Sequence, residues 1–236
     1  MKSKQFSKRL LAGLPATVLA LGIGPAAAQS LVISNWDGYM PADMAERFEA
    51  DAAQAERVRD FALCAFEQVA EAFGLKRVHR DLLDWSCRLH EIGLGIAHSH
   101  YQVHSAYVVE HSDMAGFTRQ EQQFMAFLLR YQRRKLPAGV LEPLPPRLRP
   151  AARPLLAMLR IAVALCRSRM DADLPDFSLA AHGSERLELA VPRGWLAAHP
   201  LSARSLELER RQLRDLGLSL HLDTLASPHP LERAPS

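Results

Sequence analysis

Glycine and cysteine are both sparse in this chain of 236 residues, at 12 and 3, and neither is arranged for chemistry. The glycines at 93, 95, 116, 139, 183, 194 and 217 form no cluster ahead of a helix, which excludes a phosphate-cradling glycine loop among them. Cys64, Cys87 and Cys166 show no CxxC or Cys–His spacing, so a zinc site of the common kinds is excluded. All three sit among apolar residues at helical spacing and read as buried free thiols, a pattern suited to a reducing compartment. A GxSxG nucleophile elbow is also missing. Acidic residues nearly vanish between 130 and 169, where ten Arg or Lys residues face one acid, Glu142. The formal net charge of only +3 hides this local excess, which points to an anionic partner.

Hydrophobic residues make up 48% of the chain and charged ones 23%, ordinary proportions for a packed core. The N-terminus has the layout of a secretory signal: Lys2, Lys4, Lys8 and Arg9, an apolar stretch over 10–23, then Ala26-Ala27-Ala28. The apolar stretch is too short for a permanent membrane anchor, and no later segment is apolar enough. Residues 29–50 read as a short strand, a turn at Asp37-Gly38 and a helix start.

From Asp51 the texture becomes helical, with Asp51 as an N-cap. Val58, Phe61, Ala65, Phe66, Val69 and Phe73 fall on one stripe. Gly74 stands where a helix would close. Further helices are expected over about 81–92 and 101–111. Another should follow the capping box begun by Thr118 and Glu121, and a fifth, apolar nearly all round, should include Leu155, Leu156, Leu159 and Ile161. Residues 137–150 carry five prolines and read as a rigid loop. Past Met170 the pattern alternates over 177–181 and 186–191 around His182-Gly183-Ser184, a hairpin signal. Pro192-Arg193-Gly194 reads as a turn, 201–216 as an amphipathic helix closed by Gly217, and 218–222 as a third strand. The fold class expected is mainly α: a helical domain over 51–171, a small ββαβ (α+β) module over 172–224, and a disordered tail over 225–236.

Several separated motifs carry a family resemblance. They are Arg88-Leu89-His90-Glu91-Ile92-Gly93, His104-Ser105-Ala106-Tyr107-Val108-Val109, Ser112-Asp113-Met114-Ala115-Gly116-Phe117-Thr118, Glu121-Gln122, Arg130-Tyr131-Gln132-Arg133-Arg134 and, further on, Pro192-Arg193-Gly194-Trp195. In this order and spacing the chain resembles the C-terminal half of the exopolyphosphatase and guanosine pentaphosphate phosphatase family, a helical domain of HD-like type followed by a small α+β domain. The first residues are similar to the start of periplasmic polyamine-binding proteins, through Trp36, Asp37 and Tyr39. In the phosphatase family, hydrolysis belongs to two actin-like domains that carry the phosphate loops and a catalytic carboxylate, and magnesium is the metal expected for the full-length enzyme. The resemblance therefore implies no catalytic residue and no cofactor here. It implies a homodimer and inorganic polyphosphate or a similar polyanion as partner, with no specific nucleic acid and no stable membrane anchor. The residues expected to hold polyphosphate are Arg130, Arg133, Arg134, Lys135, Arg147, Arg149 and Arg153. Arg130, Arg133 and Arg134 would share one helical face at i, i+3 and i+4, and Arg160, Arg167 and Arg169 would continue the run.

The likeness to HD phosphohydrolases places His90-Glu91 at the metal-binding doublet, with His104 as a further candidate. Gln54 stands at the first ligand position, and Ala162, Val163 and Ala164 stand at the last. These substitutions leave His90, Glu91 and His104 as vestigial metal candidates, because a working site needs at least three protein ligands. His100 and His104, at i and i+4, could also chelate. The alternatives are an HD-type metal-dependent phosphohydrolase and a fusion or truncation product without selected function. The signal implies a periplasmic or secreted protein, whereas the family resemblance implies a cytoplasmic one.

Overall fold

The computed structural model of the chain describes residues 42–114, 116–168 and 175–225. The signal-like segment, Trp36, Asp37, Tyr39 and Arg169 lie outside the described residues. Among the described residues five α-helices come first. They are α1 (Ala42–Val69), α2 (Arg77–Arg88), α3 (Tyr101–His111), α4 (Arg119–Tyr131) and α5 (Arg149–Leu165). Two short strands follow, β1 (Ser178–His182) and β2 (Arg186–Pro192). Then come α6 (Arg193–Ala198), α7 (Pro200–Gln212) and β3 (Ser219–Leu225). The molecule is mainly α with a small α+β part, as the sequence implies.

The long helix α1 runs through Asp51, which is therefore an interior residue and not an N-cap. Neither glycine nor proline falls between Ala42 and Val69, so nothing in the backbone stops the helix there. Its stripe Val58, Phe61, Ala62, Ala65, Phe66 and Val69 is buried. Gly74 takes a left-handed φ of +61° in the turn that follows. The second helix ends at Arg88, earlier than the apolar spacing suggests, and a 3₁₀ turn over Ile92–Gly95 takes over. That turn packs so closely on α3 that a Cβ at Gly93 would stand 2.1 Å from the carbonyl oxygen of Tyr101. Only glycine fits this approach.

The capping box is formed at the start of α4. Thr118 Oγ1 accepts from the Glu121 amide at 3.2 Å, and Glu121 Oε2 accepts from the Thr118 amide at 2.8 Å. Helix α5 is the centre of the molecule, with Leu155, Leu156, Ala157, Met158, Leu159, Ile161 and Ala162 all fully buried. It packs against α1, α2 and α4 on the helical side and against α7 on the other.

The sheet has the order β1-β2-β3. β1 and β2 are antiparallel with Leu179 opposite Leu189, and the hairpin closes at Gly183 with φ +65°. β3 runs parallel to β2, with Leu187 opposite Leu220 and Leu189 opposite Leu222. The return crossover is α6 and α7, so the segment is ββααβ. Pro192-Arg193-Gly194 is not a free turn. Pro192 is the N-cap of α6, and its φ of −56° suits a helix entry. The sheet is fixed to the helices by apolar and polar contacts together. Phe61 of α1 stacks on Phe177 at 4.0 Å, and the Leu179 amide donates to Gln68 Oε1 at 2.7 Å, which satisfies one donor on the outer edge of β1. Ser202 of α7 donates to the Leu165 carbonyl at the end of α5 (2.8 Å).

Candidate functional site: a basic cleft between α5 and α7

A cleft of about 510 Å³ opens where the end of α4, the C-terminal half of α5 and the face of α7 meet. Its basic side is the loop after α4, with Arg133, Arg134 and Lys135, joined by Arg167 from the turn after α5. The opposite wall is α7, through Ser205, Leu208, Glu209 and Gln212. Val163 and Ala164 supply an apolar strip, and Gln54, Glu91 and Tyr101 close one end. Among the described residues no carboxylate lies in ion-pair range of Arg133, Arg134, Lys135 or Arg167. Arg133 instead lays its guanidinium over the Tyr101 ring, 4.7 Å from the centroid, and Arg167 donates to Ser205 Oγ at 3.0 Å.

Beneath this surface is a buried ion pair. Arg160 is 1% exposed and donates through Nε and Nη2 to both carboxylate oxygens of Glu209, at 2.6 and 3.1 Å. It also donates to the Tyr131 carbonyl and, at 2.7 Å, to the Arg134 carbonyl. Burial pushes the Glu209 carboxyl up from its ordinary range, and the charge of Arg160 pulls against that shift.

The structure divides the expected polyphosphate residues. Arg130, Arg133 and Arg134 do not share a helical face, because α4 ends at Tyr131 and Arg134 has a left-handed φ of +66°. Arg130 points to Glu110 instead, at 3.7 Å, with both side chains half-buried. Arg133, Arg134 and Lys135 reach the cleft from the loop. Arg147 donates to Gln120 Oε1 at 2.8 Å. Arg149 donates to the carbonyls of Leu144 and Glu142 at 2.9 and 2.8 Å. Arg153 donates to the Ser184 carbonyl. None of these last three lines the cleft.

This is a helical unit with a basic cleft closed by a sheet-bearing appendage, and the profile of one family, described as Ppx/GppA phosphatase, domain III, matches it over residues 41–210. The chain belongs to that family. It is similar to the guanosine-5'-triphosphate,3'-diphosphate pyrophosphatase of Aeromonas salmonicida (strain A449), at 37% identity over 171 residues, covering 72% of this chain and 34% of the relative. The corresponding protein of Aeromonas hydrophila subsp. hydrophila is 39% identical over 169 residues, covering 70% of this chain and 34% of the relative. The chain thus spans about a third of the length of the curated relatives it matches.

In this member of the domain III family, Gln54, Glu91, Val163 and Ala164, among the positions expected to correspond to HD metal ligands, line the cleft, and the polar side chains of the set are engaged in structure. Gln54 donates to the Cys166 carbonyl at 2.9 Å and accepts from Arg57. His90 is fully buried, and its Nδ1 must donate to the Cys87 carbonyl 2.7 Å away, which fixes the tautomer. The Glu91 carboxylate lies 3.9 Å from His90 Nε2 and accepts from the Tyr101 hydroxyl at 3.4 Å. His104 does not join them. Tyr101 and Ser105 occupy the face of α3 turned toward His90 and Glu91, and His104 rests its Cβ against Gly93. His100 is the N-cap of α3 with a left-handed φ of +56°, and its carbonyl accepts from the His104 amide at 3.3 Å. Among the described residues no group of three or more His, Cys, Asp or Glu side chains is placed to hold a metal ion. No described helix is long and apolar enough to cross a membrane.

Sequence reasoning missed Glu209, Gln212, Gln132 and Tyr101 as parts of the site. One signal was available: Arg160 is the one charge in the apolar stretch 154–165, and a buried guanidinium requires a partner elsewhere.

Proposed function

We propose that the chain is a non-catalytic polyanion-binding module of the exopolyphosphatase type, with the cleft between α5 and α7 as its binding surface. The observation that carries this reading is the set of four cations, Arg133, Arg134, Lys135 and Arg167, on one cleft without ion-pair partners among the described residues. Arg149, Arg153 and Arg160 of the same basic run have found carbonyls or carboxylates, whereas these border open volume. Guanidinium forks match phosphate oxygens bidentately, and several in series suit a linear phosphate chain. The relatives are named for a guanosine phosphate substrate, so a phosphate-rich ligand agrees with the family. Titration of labelled long-chain polyphosphate into the chain at several salt concentrations tests the reading. Affinity should fall steeply with salt, by analogy with duplex DNA, where the log–log slope is about −0.9 per neutralised phosphate. A variant with Arg133, Lys135 and Arg167 changed to Ala should lose most of the affinity. An Arg147, Arg149 double Ala variant that remains folded should keep it. Equal affinity in wild type and the cleft variant, or no preference for polyphosphate over heparin of equal charge, would remove the case.

The same reading includes self-association. Leu201 is 64% exposed and Ile96 and Tyr107 are each 57% exposed, apolar surface that a second copy could cover. Light scattering at micromolar concentration should give the mass of a dimer, and a monomer mass would remove this part.

A further inference from the structure

The basic loop is held from beneath and from both ends. Arg160 donates to the carbonyl of Tyr131, just before the loop, and to that of Arg134 within it. Leu136, just past it, donates its amide to Gln212 Oε1 of α7 at 2.8 Å. Gln132, 1% exposed, is tied in the other direction, donating to the His90 carbonyl at 2.6 Å. Between these anchors Arg134 is kept in a left-handed conformation that a residue with a Cβ rarely adopts. Such a conformation persists only where the surroundings over-determine it. Arg160, in turn, is held by the fork of Glu209 on α7. A chain of direct bonds therefore runs from α7 through Glu209 and Arg160 to the backbone that presents Arg133, Arg134 and Lys135.

We propose that Arg160 and Glu209 are positioning residues for the cleft, fixing the shape of the basic loop so that the anion site exists only when α7 is docked. This rests on the anion-binding reading above and adds to it how the site is made. A purely Coulombic view makes the opposite forecast. Glu209 lines the cleft and carries a negative charge, so its removal should favour an anion by field alone. Positioning forecasts a loss, because a loose loop must be ordered again each time a ligand binds.

The experiment uses the full chain, with Glu209→Gln and Gln212→Ala beside wild type. Inorganic tripolyphosphate binding is measured by calorimetry, and amide hydrogen exchange is followed at residues 133–136 and in α1. The Glu209→Gln chain should bind about five- to tenfold more weakly, and its amides at 133–136 should exchange faster, with α1 unchanged. Gln212→Ala, which leaves the buried pair intact, should give a smaller change in the same direction. Binding that is unchanged or tighter in Glu209→Gln overturns the proposal, as does weaker binding with unchanged exchange at 133–136. If Glu209→Gln fails to fold, Gln212→Ala alone decides by the same two readouts. If wild type does not bind tripolyphosphate at all, the anion reading falls. The positioning role then stands or falls on exchange at 133–136 alone.

Discussion

The stretches Arg133–Lys135 and Arg147–Arg153 carry like charge in one basic run, yet the molecule uses them differently. The first borders open volume on a loop that other residues hold in place. The second is occupied with structure. Arg149 closes the proline-rich loop on its own carbonyls, and Arg153 reaches across to the hairpin at Ser184. A charge count alone would give both the same role. What separates them is whether a backbone carbonyl or an amide oxygen lies within reach. The difference implies that affinity and stability can be moved independently by choosing which arginine to remove.

The largest effect should come from the residue beneath both functions. Arg160→Ala would leave Glu209 buried beside two carbonyls that have lost a donor. Breaking such a pair by removing one partner costs about 3–5 kcal/mol, read as a shifted midpoint in equilibrium denaturation. A change under about 1 kcal/mol would show that the pair is hydrated in solution.

The next comparison sets Arg149→Ala against Lys135→Ala. Arg149→Ala takes a donor from two carbonyls in a partly buried loop, and about 1–2 kcal/mol of stability should go with it, while tripolyphosphate affinity holds. Lys135→Ala should change stability by less than about 0.5 kcal/mol and make the salt dependence of binding shallower by about one unit of slope. Swapped results would reverse the assignment of the two stretches.

The smallest effect extends the same contrast of occupied and open to the thiols. Cys64 is exposed, contrary to the reading of all three cysteines as buried, because it lies off the apolar stripe of α1, accepting from Gln68 at 3.4 Å. Cys87 and Cys166 are buried, and desolvation pushes the Cys166 thiol up from an ordinary 9.0 to about 12. Since the folded value is the higher one, the stability tied to this thiol is fully present below pH 9 and declines as pH rises from there toward 12. Iodoacetamide at pH 8 should therefore label Cys64 alone, with the other two reacting only in denaturant. Rapid labelling at Cys166 in the native state would place it nearer solvent.

Much of the fold was legible because its signals are local. The Thr118–Glu121 box, the apolar stripe of α1, the apolar girth of α5 and the hairpin at Gly183 each act within a few residues. The cleft was less legible because its shape depends on partners far along the chain. Glu209 meets Arg160 across 49 positions and Gln212 meets Leu136 across 76. The end of α4 also misled. Arg130 through Arg134 has helical propensity throughout, but the helix ends at Tyr131, Arg160 takes up the carbonyls of Tyr131 and Arg134, and the expected face of three arginines is not formed. No residue type marks a backbone carbonyl that will be claimed by a distant guanidinium.

The parallel pairing of β3 with β2 has a consequence for the order in which the molecule is made. During synthesis the helices through α5 and the β1–β2 hairpin can leave the ribosome and begin to pack while the second wall of the cleft is still unsynthesised. β3 finds its place beside β2 only after α6 and α7 have crossed over, and this non-local pairing is among the slower events in folding. A nascent chain paused before Ser205 would display the basic loop without α7 to shape it. The arginines would already be there, and the site would not. Affinity for a phosphate chain would then appear late and abruptly, as a marker that α7 has docked.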